Sequence, residues 1–253
     1  MRRVPEDVRS GPGWSYDNRG WISITGNGAT FERYVVKSNI DVVASNVTIR
    51  NVRSTAGGES FGISLRHARS TTIEHVEIAG PSTNRLMVGV KDIYGDSSGT
   101  RILASDISGA STAIQMGSGS VVGNYVHDLR LVPGDHVNGL TSNGATGQLD
   151  VVNNTILNPI SQTDCIGLFQ DFGVEANRRI EGNLLAGGGY TLYAGAGTRG
   201  RTSGIVVQNN RFSTLYYPRS GYYGPATAFE SSGSGNVWRG NIWDSTGASV
   251  GAP

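Results

Sequence analysis

Val151-Val152-Asn153-Asn154-Thr155-Ile156 holds the frame that decides the fold: an aliphatic residue, two spacers, Asn, one spacer, then another apolar residue. The same frame stands at Val121-x-x-Asn124-x-Val126, Ile180-x-x-Asn183-x-Leu185, Val207-x-x-Asn210-x-Phe212 and Trp238-x-x-Asn241-x-Trp243, so the asparagines follow one another at steps of 30, 29, 27 and 31. Weaker copies at Ile73-x-x-Val76-x-Ile78 and Ile102-x-x-Ser105-x-Ile107 carry the unit back into the first half of the chain. A fixed period of this size is the mark of a solenoid, whose short units bury their apolar side only when neighbours stack on it. The units must be strands. Val47-Thr48-Ile49-Arg50 and Val206-Val207-Gln208-Asn209 alternate and are β-branched, and Gly, Ser and Asn cut them before a helical period can form. The pattern therefore predicts an all-β, single-domain parallel β-helix of about eight coils. It would span residues 21–245, with an N-terminal extension or cap over 1–20 and a C-terminal tail over 246–253.

The periodic asparagines have a structural explanation. A buried amide without partners costs about 1–3 kcal/mol, and a regular row of them is satisfied by bonding the coils above and below. Composition agrees with a turn-rich β chain: 37 Gly, 3 Met and 16% charged residues. The formal charge of +1 gives no electrostatic footprint for nucleic acid, and no Lys/Arg tract marks an anionic membrane surface, so neither is an expected partner. No apolar run is long enough for a membrane helix, and residues 1–20 lack the hydrophobic core of a signal peptide, as expected of a mature or trimmed domain. The single Cys165 excludes an intrachain disulfide and reads as a small packed side chain. A monomer is expected.

A second strand recurs in each unit, and alternation assigns its faces. One outward row is expected to read Ser64, Gly89, Gln115, Thr141, Gly167, Thr191, small and polar; its neighbour reads Arg66, Lys91, Gly117, Asn143, Phe169, Tyr193. A low floor bordered by cations at one end and aromatics at the other would suit an extended polymer, with aromatic rings for sugar faces and cations for acidic groups. The residues entering this strand carry the most chemistry: Gly134-Asp135-His136-Val137-Asn138-Gly139-Leu140 and, one coil on, Gln162-Thr163-Asp164-Cys165-Ile166-Gly167-Leu168-Phe169-Gln170-Asp171. The candidate catalytic residues are His136, Asp164 and Asp135: an imidazole beside carboxylates can act as a general base, and two separated carboxyls can serve inverting hydrolysis. The candidate substrate contacts are Arg66, Lys91, Asn138, Thr141, Asn143, Phe169, Gln170, Asp171, Tyr190 and Tyr193. Lys91, one of two lysines among the 21 Lys and Arg, lies three coils from Asp164, on the order of 14 Å at the strand spacing. Arg66 and Lys91 therefore either bind acidic groups at distal subsites, the role we favour, or form their own base and acid pair for β-elimination. The segment 213–225, with Tyr216, Tyr217, Tyr222 and Tyr223, fits a wall or lid at one groove end.

The asparagine coils, the GDHVNGL segment at 134–140 and the NLLAGGGYTLYAG segment at 183–195 resemble the right-handed parallel β-helix repeat proteins of secreted bacterial origin, a broad group that holds many polysaccharide lyases and some glycosidases. The resemblance covers roughly residues 20–245 and is specific for fold rather than reaction. It implies an extracellular protein acting on a polysaccharide. Where such relatives read His-x-Asp-x-x-Gln, this chain has His136-x-Asn138-x-x-Thr141, which throws more weight on Asp135 and Asp164. Calcium is the candidate cofactor the resemblance raises, although neither a clear set of its ligands nor the clustered Asp pattern of polygalacturonases is found. Three functions stay open: β-elimination of an acidic polysaccharide, glycoside hydrolysis through Asp135 and Asp164, and non-catalytic glycan binding by a cell-surface solenoid.

Overall fold

A computed structural model of the chain, described over residues 1–83 and 85–253, is a parallel β-solenoid without helices among the described residues. Three sheets of eleven, nine and ten strands run its length. Each coil visits them in the same order. Asn138–Ser142 lies in the eleven-stranded sheet, Leu149–Val152 in the nine-stranded sheet and Thr155–Asn158 in the ten-stranded sheet, after which Asp164–Leu168 returns to the first, one step on.

The repeat frame is the register of the stack. Val121, Val151, Ile180, Val207 and Trp238 are successive partners in the nine-stranded sheet, joined on their N-terminal side by Ile73 and Ile102. Val126, Ile156, Leu185, Phe212 and Trp243 do the same in the ten-stranded sheet, preceded by Ile78 and Ile107. Between the two sheets the backbone turns a corner through one left-handed residue, at φ 68 for Gly123, 55 for Asn153, 66 for Gly182, 56 for Asn209 and 63 for Gly240. Gly and Asn occupy these corners because they tolerate that region best.

The next residue is the ladder asparagine. The Asn154 amide Nδ2 donates to Val121 O at 2.9 Å and to Asn183 Oδ1 at 3.0 Å, while its own Oδ1 accepts from the backbone and side chain of Asn124, each at 2.9 Å. Asn183, Asn210 and Asn241 repeat the pattern, and all five side chains are buried. In the weaker copy Ser105 takes the same place: its Oγ accepts from Val76 N at 3.1 Å, and its own N–H donates to Asn124 Oδ1 at 2.9 Å.

Both ends of the stack are covered. Trp14, in the antiparallel hairpin of Ser10–Gly11 and Trp14–Tyr16, packs edge-on against Phe31 at 4.9 Å between ring centres. At the other end Val250 returns to the core and its carbonyl accepts from Trp238 Nε1 at 2.8 Å. Residues from the expected extension and tail thus pack onto the two ends of the stack, and Arg2–Val4 pairs with Tyr34–Val36 in the ten-stranded sheet.

Two rows of the eleven-stranded sheet differ from the sequence expectation. The outward row runs Ser64, Lys91, Gln115, Thr141, Gly167, Tyr193, with Lys91 in the place given to Gly89 and Tyr193 in the place given to Thr191. Gly89 and Thr191 are buried; a Cβ on Gly89 would run into Ile107 and the Ala113 carbonyl. The second outward row contains Val88, Thr112, Asn138 and Asp164 in register, so Val88 faces the groove rather than the core. At Lys91 and Tyr193 the difference is a slip of two residues, which alternation alone could not detect, whereas Val88 and Val90 face opposite sides because the alternation itself breaks between them.

Candidate functional site

The face of the eleven-stranded sheet carries a pocket of about 450 Å³, lined among others by Lys91, Gln115, Asp135, His136, Asn138, Thr141, Asn143, Phe169 and Asp171. A second hollow of about 530 Å³ shares Lys91, Gln115, Thr141 and Asn143 with it and continues to Tyr94 and Phe172. Together they form one groove that follows the strands from the His136 loop to the opposite sheet edge. Lys91 stands where the two hollows meet.

Lys91 is half-buried, and burial lowers the pKa of its ammonium below the ordinary lysine value. Its Nζ lies 5.6 Å from the centre of the Phe61 ring, and it makes no ion pair among the described residues. Asp92, its neighbour in sequence, points to the other face: it is buried, accepts from Ser97 N at 3.2 Å, and burial raises its pKa. A half-buried cation with no counter-ion bears a desolvation cost that an incoming anion would relieve. Lys91 and Arg66 do not form a pair. Arg66 Nε donates to the buried Asp41 carboxylate at 2.8 Å, which also accepts from Ser64 Oγ at 2.6 Å, and the guanidinium lies 5.9 Å from the Trp21 and Tyr94 ring centres. Its charge is already committed.

The 134–140 segment reaches the groove as the sequence suggests, and the structure separates its members. His136 is exposed at the pocket mouth and holds no hydrogen bond or ion pair among the described residues. Asp135 instead ion-pairs with Arg85 and accepts from Ser111 Oγ at 2.5 Å. Gln162 fixes the loop, accepting from Val137 N and donating to Asp135 O, both at 2.9 Å. Asn138 lines the pocket and donates to Thr112 Oγ1 at 3.1 Å; its Oδ1 has no partner among the described residues.

Asp164 pairs with Asn138 in register, as expected, but does not open to the groove. It has 0% exposure, and neither carboxyl oxygen finds a donor among the described residues. Desolvation pushes its pKa well above the carboxylate range. The cause is local: Gly167 leaves room that the Asp164 carboxyl and the Phe169 ring both enter, so that a Cβ there would meet both. Asp164, expected at the catalytic centre, is instead a covered acid beneath the pocket wall. Cys165 is likewise fully buried, its Sγ 3.1 Å from Ala186 O, and burial raises its pKa as befits a packed thiol.

The remaining candidates divide into wall and clamp. Phe169 and Tyr193 pack at 5.1 Å between centres and close the pocket on one side, with Tyr190 behind them at 5.6 Å from Tyr193; neither tyrosine lines the two hollows. Burial first, and Asp164 second, raise the pKa of Tyr193. Gln170 is occupied in holding the 195–200 loop, donating to Gly195 O at 2.9 Å and Gly200 O at 3.0 Å. Asp171 keeps an exposed side chain on the pocket rim. The fully buried Glu175–Arg178 pair escaped the sequence reading. Glu175 accepts from Ser142 Oγ at 2.7 Å and Gly144 N at 2.6 Å, and Arg178 donates to the Ala145 and Gly147 carbonyls, which fixes the turn carrying Asn143. Among the described residues no group of three or more His, Cys, Asp or Glu side chains is placed to hold a metal ion.

Compared with protein-family models, curated proteins and solved structures, the chain matches none. The geometry of the groove itself carries the functional reading.

Proposed function

We propose that the groove binds an acidic polysaccharide and cleaves it by β-elimination, with Lys91 receiving a uronate carboxylate and His136 acting as the base. The observation that carries the reading is Lys91: a half-buried ammonium with no ion pair among the described residues, in a groove lined also by amides, hydroxyls, the Phe169 ring, His136 and the carboxyls of Asp135 and Asp171. A uronate carboxylate beside it restores the pairing that burial denies the ammonium. The same pairing drains charge from the carboxylate and makes the proton on the adjacent ring carbon easier to remove. The His136 imidazole, unengaged at the mouth of the pocket, takes that proton; the bond to the leaving glycosidic oxygen breaks, a carbon–carbon double bond forms in the ring, and the imidazolium returns the proton to the departing oxygen. Asn138, Asn143, Gln115 and Thr141 supply hydrogen bonds to the sugar hydroxyls.

Hydrolysis through Asp135 and Asp164 is less well supported. It needs both carboxyls at the linkage, whereas Asp135 is bound to Arg85 and Asp164 is covered. The test is incubation with a panel of uronate-containing and neutral polysaccharides, following new reducing ends and the absorbance of an unsaturated product. Elimination gives both signals on uronates alone. Reducing ends without the absorbance would mean hydrolysis, and neither signal would leave a glycan-binding solenoid.

A further inference from the structure

An aromatic row leaves the groove along the solenoid axis. From Phe169 on the pocket wall it passes to Tyr193, then Tyr190, Tyr223 and Tyr222, at successive ring separations of 5.1, 5.6, 5.6 and 4.9 Å. Its outer members are not core. Tyr222 and Tyr223 are 52% and 55% exposed, so they are not accounted for as cover over the last coil.

The segment that carries them is nevertheless pinned at several points. Tyr222 N donates to Gly188 O at 2.9 Å, Tyr223 N to Gly189 O at 2.7 Å and Gly187 N to Ser220 O at 2.9 Å. The Tyr217 hydroxyl reaches back to Pro159 O at 2.7 Å, and the hydroxyls of Ser220 and Thr191 meet at 2.9 Å. Exposed rings on backbone fixed in this way have the properties of a binding surface, because little ordering entropy is lost on contact.

Resting on the groove reading above, we propose that this tyrosine shelf is a second part of the same binding site, holding further sugar rings of the bound chain by stacking. The row is continuous with the pocket: Thr141, Gly167, Tyr193 and Thr227 are register partners on four successive strands, so the shelf extends about 14 Å beyond Thr141 at the ordinary strand spacing. Flat aromatic faces match the apolar faces of sugar rings, and tyrosine hydroxyls can hydrogen-bond to their polar edges. All five members are Phe or Tyr, uncharged rings that recognise sugar faces, so the shelf reads rings and chain length. The protein would therefore engage a polymer far better than a short oligosaccharide, with Lys91 reading the acidic group and the shelf reading chain length.

The experiment compares a uronate trisaccharide with the corresponding polymer on wild type, the Tyr222→Ala/Tyr223→Ala double variant and the Tyr222→Leu/Tyr223→Leu double variant, which keeps apolar bulk but loses the flat faces. Calorimetric Kd and kcat/KM are measured for each. Both variants are expected to weaken polymer binding at least tenfold and to change the trisaccharide Kd less than twofold. Equal losses on both ligands, or no loss on the polymer, would overturn the shelf while leaving the groove reading intact. A wild type that neither binds nor cleaves any uronate polymer would overturn the groove reading, and the shelf with it.

Discussion

Replacing Asp164 by Asn should make the protein more stable as the pH rises above the carboxylate range, relative to wild type. The side chain has 0% exposure and its two oxygens lack donors among the described residues, so burial favours the neutral acid and raises the folded-state pKa. The unfolded chain ionises Asp164 at about 3.9. Below that value both states hold the proton and the residue contributes no pH dependence. Above it the unfolded state loses its proton first, so the native state binds more protons and stability falls with rising pH. The slope approaches about 1.4 kcal/mol per pH unit until the folded-state pKa is passed. The amide of Asn is close in shape and carries no charge to desolvate, so the variant should lack this component. Urea denaturation at a series of pH values upward from 4 reads the difference directly: the stability curves of wild type and Asp164→Asn should diverge, the variant gaining with each unit. Curves that stay parallel would refute the argument, because they would mean that Asp164 finds a donor or water in solution and ionises normally.

Three further outcomes follow from the surroundings of single side chains. Arg66→Ala should lower stability by about 1.5–3 kcal/mol, because the buried Asp41 loses a charge-assisted bond, and should leave KM for uronate polymers near wild type; calorimetry and steady-state kinetics read the two effects. Asn183→Leu removes the acceptor of the Asn154 N–H and amide and the donor to Val151 O, and each buried group left unpaired costs about 1–3 kcal/mol, so the melting temperature and activity should fall together. Affinity for uronate should weaken as the pH rises through the lowered pKa of Lys91, since the bound carboxylate favours the ammonium and binding there takes up a proton; titration calorimetry in buffers of different ionisation enthalpy should show that uptake, and Lys91→Gln should abolish it.

The fold was legible because its governing interaction recurs. A buried amide that must bond its neighbours above and below can serve only at a fixed period, so Asn124, Asn154, Asn183, Asn210 and Asn241 reveal both the step and the stacking. The groove was legible only in part. Asn138 and Asp164 fall in register as their segments suggest, yet Asp164 disappears beneath Phe169 because Gly167 leaves it space, and no one-dimensional pattern records that vacancy. Strand alternation alone permits a two-residue slip that sets Lys91 beside Arg66, whereas the actual register puts it in the row of Gln115 and Thr141. The Glu175–Arg178 clamp was invisible for another reason: its partners are backbone groups of a turn one coil earlier, which the sequence identifies by neither type nor spacing.

The central claim is that Lys91 and His136, brought into one pocket by strands two steps apart, form the reacting centre for an acidic glycan. The most direct measurement is turnover on saturating uronate polymer by wild type, Lys91→Gln and His136→Ala, with melting curves as the folding control. The account predicts a loss of at least about a hundredfold in each variant, the lower range for a positioned acid or base, at an unchanged melting temperature. Near-normal turnover in either variant would contradict it.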